Sequence, residues 1–197
     1  MKKKKDISRG KHDLRTLTAD LFVSLDGFAS GASEAAFFGY FGDDLGKWIA
    51  DNLKQPQLLI MGRVTYQALA QFSPTGTDPT SRRMNELPKL VFSNTLTAPL
   101  AWKNTRLAKT SLAEEIKALK GQPGDPLRSI GSIRLVRSMV GLGVVDRLRL
   151  MVFPVILGNA GREPIFTSYS RTPLELVASK ILDSRLTLLE YRLASAA

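Results

Sequence analysis

Three short segments place glycine, hydroxyl and cationic residues where an apolar run gives way to a helical pattern. Residues 60–66 read IMGRVTY, residues 90–95 LVFSNT, and residues 130–133 IGSI. A strand that ends in Gly and turns at once into a helix leaves backbone N–H groups pointing forward, which suits an anion. Gly62, Arg63 and Thr65 add a guanidinium and a hydroxyl to such a turn, and Gly131, Ser132 and Ile133 repeat the arrangement. Ser93 and Asn94 offer short polar side chains for phosphate or ribose oxygens. Each segment alone also has a plain structural reading, Gly as a turn and Ser132 as a helix N-cap. Together they point to a phosphorylated cofactor.

What the chain lacks narrows the chemistry further. It has no Cys, and its one His is His12, inside a lysine-rich segment. Ser-His-Asp catalysis and thiolate zinc sites are therefore excluded. There is no G-x-x-x-x-G-K-[ST] stretch and no G-x-G-x-x-G after the first strand. An enzyme built from these residues would let a cofactor carry the difficult step.

The elements that must position these segments follow from the hydropathy pattern. Residues 17–25 (LTADLFVSL) read as a buried strand that ends at the Asp26-Gly27 turn. Leu45, Trp48, Ile49 and Leu53 recur at helical spacing over 44–53, with Asp43 or Asp44 as cap and Pro56 as stop. Strands follow at 58–61 and 89–92, with a helix over 63–72 between them. Residues 73–88, with three prolines, read as a surface loop. Ser111 and Glu114 form a capping box ahead of Leu112, Ile116 and Leu119. A strand at 127–130, a helix at 132–140 and strands at 148–156 and 187–193 complete the pattern. Alternation of this kind predicts an α/β sandwich, its sheet largely parallel with antiparallel additions at the end. Ligands in such sheets collect beyond the carboxyl ends of the strands, where the three polar turns would meet.

The bulk numbers agree with one soluble domain. A chain of 197 residues that is 44% hydrophobic and 23% charged can bury a full core. We divide it into a basic tail, residues 1–15, and a single domain, residues 16–197. The tail holds seven Lys or Arg against two Asp, so it carries half of the formal charge of +10. With no helix-turn-helix, RNP or zinc-finger signature beside it, the charge run reads as a solvated tail and not a nucleic-acid arm. No apolar run is long enough to span a bilayer, and the absence of Cys is compatible with a reducing cytoplasm, our expected location.

The motifs FVSLDGFASG, IMGRVTY, LVFSNT, IGS and GLGVVDRLRLMVFPVILGNAGREPIF resemble the dihydrofolate reductase-like family over residues 17–193, nearly the whole chain. The nearer likeness is to the reductase domain of the bifunctional riboflavin-biosynthesis deaminase–reductase. The zinc-ligand motifs of a deaminase half are absent. The resemblance implies a three-layer fold, with a mixed, mostly parallel sheet of about eight strands and an antiparallel C-terminal strand. It also implies a reductase that binds NADPH and a small pterin- or riboflavin-precursor-like substrate, or a carbonyl compound. Carried over by motif, Gly62, Arg63 and Thr65 would hold cofactor phosphates, and Ser93 and Asn94 the adenosine ribose and its 2′-phosphate. Gly131, Ser132 and Ile133 would meet the pyrophosphate, while Val23, Gly27, Phe28 and Ala29 would border the nicotinamide. Gly158 matches a glycine loop near the site. Asp44 falls where a carboxylate of the folate enzymes sits beside the pterin, with helix capping as its alternative role. Phe37, Phe38, Tyr40, Phe41 and Trp48 could stack on a planar ring or serve the core or an interface. Apolar strands flanked by helices, and the dimers common among similar proteins, lead us to expect a homodimer. A ligand-binding protein without catalysis is the rival expectation.

Overall fold

The computed structural model describes residues 15–33 and 35–193, so all but Arg15 of the basic tail lies outside the described residues. Its frame is an eight-stranded sheet in the order β5-β4-β3-β6-β1-β7-β10-β9. The strands are β1 (Leu17–Ser24), β3 (Leu58–Gly62), β4 (Lys89–Phe92), β5 (Thr105–Leu107), β6 (Leu127–Ile130), β7 (Arg147–Phe153), β9 (Leu174–Leu182) and β10 (Leu186–Leu193). The six from β5 to β7 run parallel; β10 returns antiparallel to β7, and β9, antiparallel to β10, again runs in the direction of the six. A separate two-stranded flap pairs β2 (Phe28–Gly31) with β8 (Gly161–Pro164).

Helices cover both faces of the sheet, which explains why β3 is apolar at successive positions rather than at alternate ones. Leu58 and Ile60 face a core that includes Ile116 of α4 (Leu112–Lys120) and Val136 and Met139 of α5 (Ile133–Gly141). Leu59 and Met61 face the opposite core. There they join Leu53 of α1 (Asp43–Lys54), Tyr66 of α2 (Arg63–Ala70) and Met84 of α3 (Pro79–Glu86). β1 contributes Leu17, Ala19, Leu21 and Val23 to the first core, so Asp20 and Phe22 point to the α1 side. The expected three-layer α/β sandwich is present, with antiparallel pairing of β10 at its C-terminal edge.

Two parts of the reading change. Residues 79–86 form a helix inside the expected surface loop: Asp78 accepts from Ser81 N at 3.0 Å and Pro79 opens the first turn. Pro79 is thus a helix-starting proline, free at N1 because no N–H is needed there. The C-terminal end of the sheet also gains β9, which the sequence pattern did not show. No helix of the described residues is long and apolar enough to cross a membrane.

Candidate functional site

The carboxyl ends of β3, β4 and β6 open onto one cleft of about 1730 Å³, lined among others by Gly62, Arg63, Thr65, Ser93, Asn94, Gly131, Ser132 and Ile133. The three polar turns therefore meet in space. Ser132 is what joins two of them. Its backbone is left-handed at φ 60°, and its Oγ makes no cap bond to its own helix. Instead Oγ accepts from Gly62 N at 2.8 Å and donates to Thr65 Oγ1 at 2.9 Å. The expected N-cap hydroxyl is spent on tying the β6–α5 corner to the β3–α2 corner.

That use of Ser132 leaves two helix ends open. α2 and α5 have no side-chain cap, and both start at the cleft. The other three helices have their ends closed. α3 is capped by Asp78, and α4 by the Ser111–Glu114 box that the sequence predicts. For α1, Asp183 from the β9–β10 turn accepts from Asp44 N at 2.9 Å and Leu45 N at 3.1 Å. First-turn N–H groups without partners among the described residues, at the positive end of the helix dipole, suit phosphate oxygens. Exposed Arg63, Lys109 and Arg134 line the same end of the cleft and add three cations. Gly131, at φ 54°, lets the chain turn there, where an added Cβ would stand 3.4 Å from Thr65 Oγ1. Ser93 folds its own turn, accepting from Thr95 N and Leu96 N, and leaves the neighbouring Asn94 exposed at the rim.

The other end of the cleft is aromatic and charged. Phe22, Phe37 and Trp48 line it, with Phe22 lying 5.7 Å from Phe37 and 6.2 Å from Trp48 between ring centres. Phe37 holds a positive φ of 55°, a conformation costly for a bulky residue and concentrated at sites where packing enforces it. Beneath these rings, Asp20 is buried between two arginines. Arg149 grips it with Nε to Oδ1 at 2.6 Å and Nη2 to Oδ2 at 2.9 Å, and Arg128 Nε reaches Oδ2 at 2.5 Å. Both guanidinium carbons also stand over the Trp48 ring, at 5.1 Å for Arg149 and 5.5 Å for Arg128.

Several residues expected at the site lie elsewhere. Asp44 is exposed and does not line the cleft; its Oδ2 accepts from Asp183 N at 2.9 Å. It locks the β9–β10 turn onto α1, reciprocating the cap that Asp183 supplies. Ala29 lines the cleft, whereas Val23 is core, and Gly27 and Phe28 build the turn into the flap. Gly158 is held by Asp26, whose carboxylate accepts from Gly158 N at 2.8 Å and also from Leu157 N. Ser24 donates to Asp26 at 2.7 Å, and these bonds, Ser24's first, hold its carboxyl below the usual range. The SLDG stretch is thus a clamp between strand ends, away from the cleft wall. Of the aromatics, Phe38 is buried in the core with Phe153, and the Tyr40 hydroxyl donates to Pro154 O at 3.3 Å.

Sequence reasoning passed over Asp20, Arg128 and Arg149. Their signal was available: each is a charged residue within an apolar strand, where burial demands a partner.

The comparisons with known proteins converge on this architecture. A curated relative, the uncharacterized protein YyaP of Bacillus subtilis (strain 168), is 28% identical over 183 residues, covering 90% of this chain and 94% of that one. Among solved structures, a putative riboflavin biosynthesis protein from Shewanella sp. PV-4 superposes with a TM-score of 0.70 at 20% identity, over 91% of this chain and 99% of that one. A pyrimidine reductase-like protein from Corynebacterium diphtheriae gives 0.61 at 15% identity, over 93% and 94%. The diaminohydroxyphosphoribosylaminopyrimidine deaminase/5-amino-6-(5-phosphoribosylamino)uracil reductase of Thermotoga maritima gives 0.60 at 15%, over 91% of this chain and 57% of the longer one. These structures share the fold. The model of the RibD C-terminal domain family matches residues 15–188, and the chain belongs to that reductase-like family.

Proposed function

We propose that this protein is an NADPH-dependent reductase of a small heterocyclic or carbonyl substrate. The observation that carries this reading is the pair of uncapped helix N-termini, α2 and α5, tied side by side by Ser132 at one end of the cleft. Their free N–H groups suit the pyrophosphate of a dinucleotide. Arg63, Lys109 and Arg134 suit further phosphate charge, which favours NADPH over NADH. A bound nicotinamide would supply the hydride. The protein's part is to bind, orient and exclude water: the open N-termini and cations hold the phosphates, and Phe22, Phe37 and Trp48 offer flat apolar faces to a planar substrate. The family's reductase character and its riboflavin-precursor chemistry support a heterocycle of that general kind.

Titration with NADPH, followed by nicotinamide fluorescence, tests the reading. Saturable binding in the micromolar range is expected, and no saturation at millimolar cofactor would sink it. One observation favours a second reading, a binding protein without turnover. Of the two carboxylates among the described residues that line the cleft, Asp20 is bonded to two arginines and Glu163 is exposed on the flap. Sustained NADPH consumption with pterin, flavin-precursor or quinone-like acceptors decides for the reductase.

A further inference from the structure

Among the described residues, the charge beneath the aromatic end of the cleft does not balance. Asp20 carries one negative charge; Arg128 and Arg149 carry two positive ones. Asn52 Oδ1 accepts from Arg149 Nη1 at 2.8 Å, but it is neutral. Both Asp20 oxygens are already engaged by Arg149 in a fork, the geometry in which a guanidinium binds a carboxylate best. Arg128 is therefore the surplus cation.

Surplus is costly at this depth. The Arg128 side chain is only 9% exposed, and its Nη1 is shut off from solvent with no acceptor among the described residues. Burial, and then the charge of Arg149, act against its protonated form, with Asp20 alone raising it. A buried donor and a buried uncompensated charge are each expensive, and neither is needed to neutralise Asp20. Yet Arg128 lines the cleft, over Trp48. A guanidinium that no described residue completes, lining a cleft beside flat aromatic walls, suits a partner that enters that cleft.

We propose that Arg128 is a substrate-recognition residue, whose guanidinium takes a negatively charged oxygen on a planar ring seated against Phe22, Phe37 and Trp48. This rests on the reductase reading for the identity of the cleft, and it narrows the substrate class to planar monoanions over neutral rings of the same shape. The dinucleotide phosphates belong to the other end of the cleft, at α2 and α5, so the two ligands bind together.

Orotate and uracil test this directly, being the same ring with and without a carboxylate. Their binding is followed by titration calorimetry on the whole protein, and by competition with NADPH. Orotate is expected to bind at least tenfold tighter than uracil, with and without saturating NADPH. Arg128→Met should remove that preference while NADPH affinity and thermal stability stay as in the wild type, since Asp20 keeps its fork with Arg149. Arg128→Gln should do the same, which covers the case of an insoluble Met variant. Equal affinity for the two rings, binding of neither, or a preference that survives in the variants would overturn the proposal. So would displacement of orotate by NADPH, because the anion would then sit at the helix N-termini. Failure of NADPH to bind, with the orotate preference intact and dependent on Arg128, would refute the reductase reading instead and leave Arg128 as an anion-recognition residue.

Discussion

Replacing Ser132 tests whether the open helix ends are held together before any cofactor arrives. In Ser132→Ala the Gly62 N–H loses its acceptor at 2.8 Å and Thr65 Oγ1 its donor at 2.9 Å. Each bond contributes about 0.5–1.5 kcal/mol net, and both groups are part-buried beside an open cleft that water can enter, so the expected loss is about 1–3 kcal/mol. Ser132→Gly removes the same bonds but also relieves a left-handed backbone at φ 60°, which costs a non-glycine residue about 1 kcal/mol. Glycine should therefore be the milder substitution by about that amount. The assay is urea unfolding of the cofactor-free protein, with Thr65→Val and the double variant completing a cycle. A shared bond makes the double loss smaller than the sum of the single ones by about 0.5–1 kcal/mol. NADPH affinity should fall in each variant, because the two N-termini are no longer fixed side by side. Unchanged stability without cofactor, or strict additivity of Ser132→Ala and Thr65→Val, would refute the tie between the corners.

Two further outcomes follow from other parts of the fold. Lys89 is fully buried, its Nζ donating to the carbonyls of Met84 and Leu87 at 2.7 Å each and lying 4.6 Å over the Trp102 ring. Burial first, and the charge of Lys103 second, pull its ammonium down to about 8 from the usual 10.5. Between those values the unfolded chain binds more protons than the folded one, so stability rises with pH across the window and the gain is absent below 8. Urea midpoints at pH 7.5, 9 and 10.5 should show that rise in the wild type and lose it in Lys89→Met. At the opposite edge of the sheet, β9 exposes Leu174, Leu176, Val177 and Ile181, with Ile181 68% exposed. A long apolar edge strand of this kind invites pairing, and we propose that a second copy covers it. Light scattering should give twice the 21.7 kDa chain mass, and Ile181→Lys should run as a single chain; a monomeric wild type would refute the pairing.

What could be read from the residues, and what could not, follows the range of the interactions. The end of the cleft where α2 and α5 begin was legible because its chemistry belongs to local backbone. Gly62-Arg63 and Gly131-Ser132 each mark a strand that ends and a helix that begins, and parallel pairing of β3 with β6 brings the two ends together. The Ser111–Glu114 box was legible for the same reason, both partners lying within one turn. Asp44 shows where that logic fails. An acid at the start of a helix reads as its cap or as a catalytic group, but the cap of α1 comes from Asp183, 139 residues away, and Asp44 answers it. Residues 79–86 were obscured differently, since Pro79 marks a loop and a helix start equally well. The aromatic end was the least legible part. Arg128 and Arg149 lie 108 and 129 residues from Asp20, and the parallel β1–β7 register sets Asp20 opposite Arg149. A charged residue in an apolar strand announces that a partner exists without naming it. Here the partners can be counted only once they are assembled, and the count leaves one guanidinium over. The cofactor is thus suggested by groups the sequence shows in pairs, and the substrate by a charge that no described residue completes.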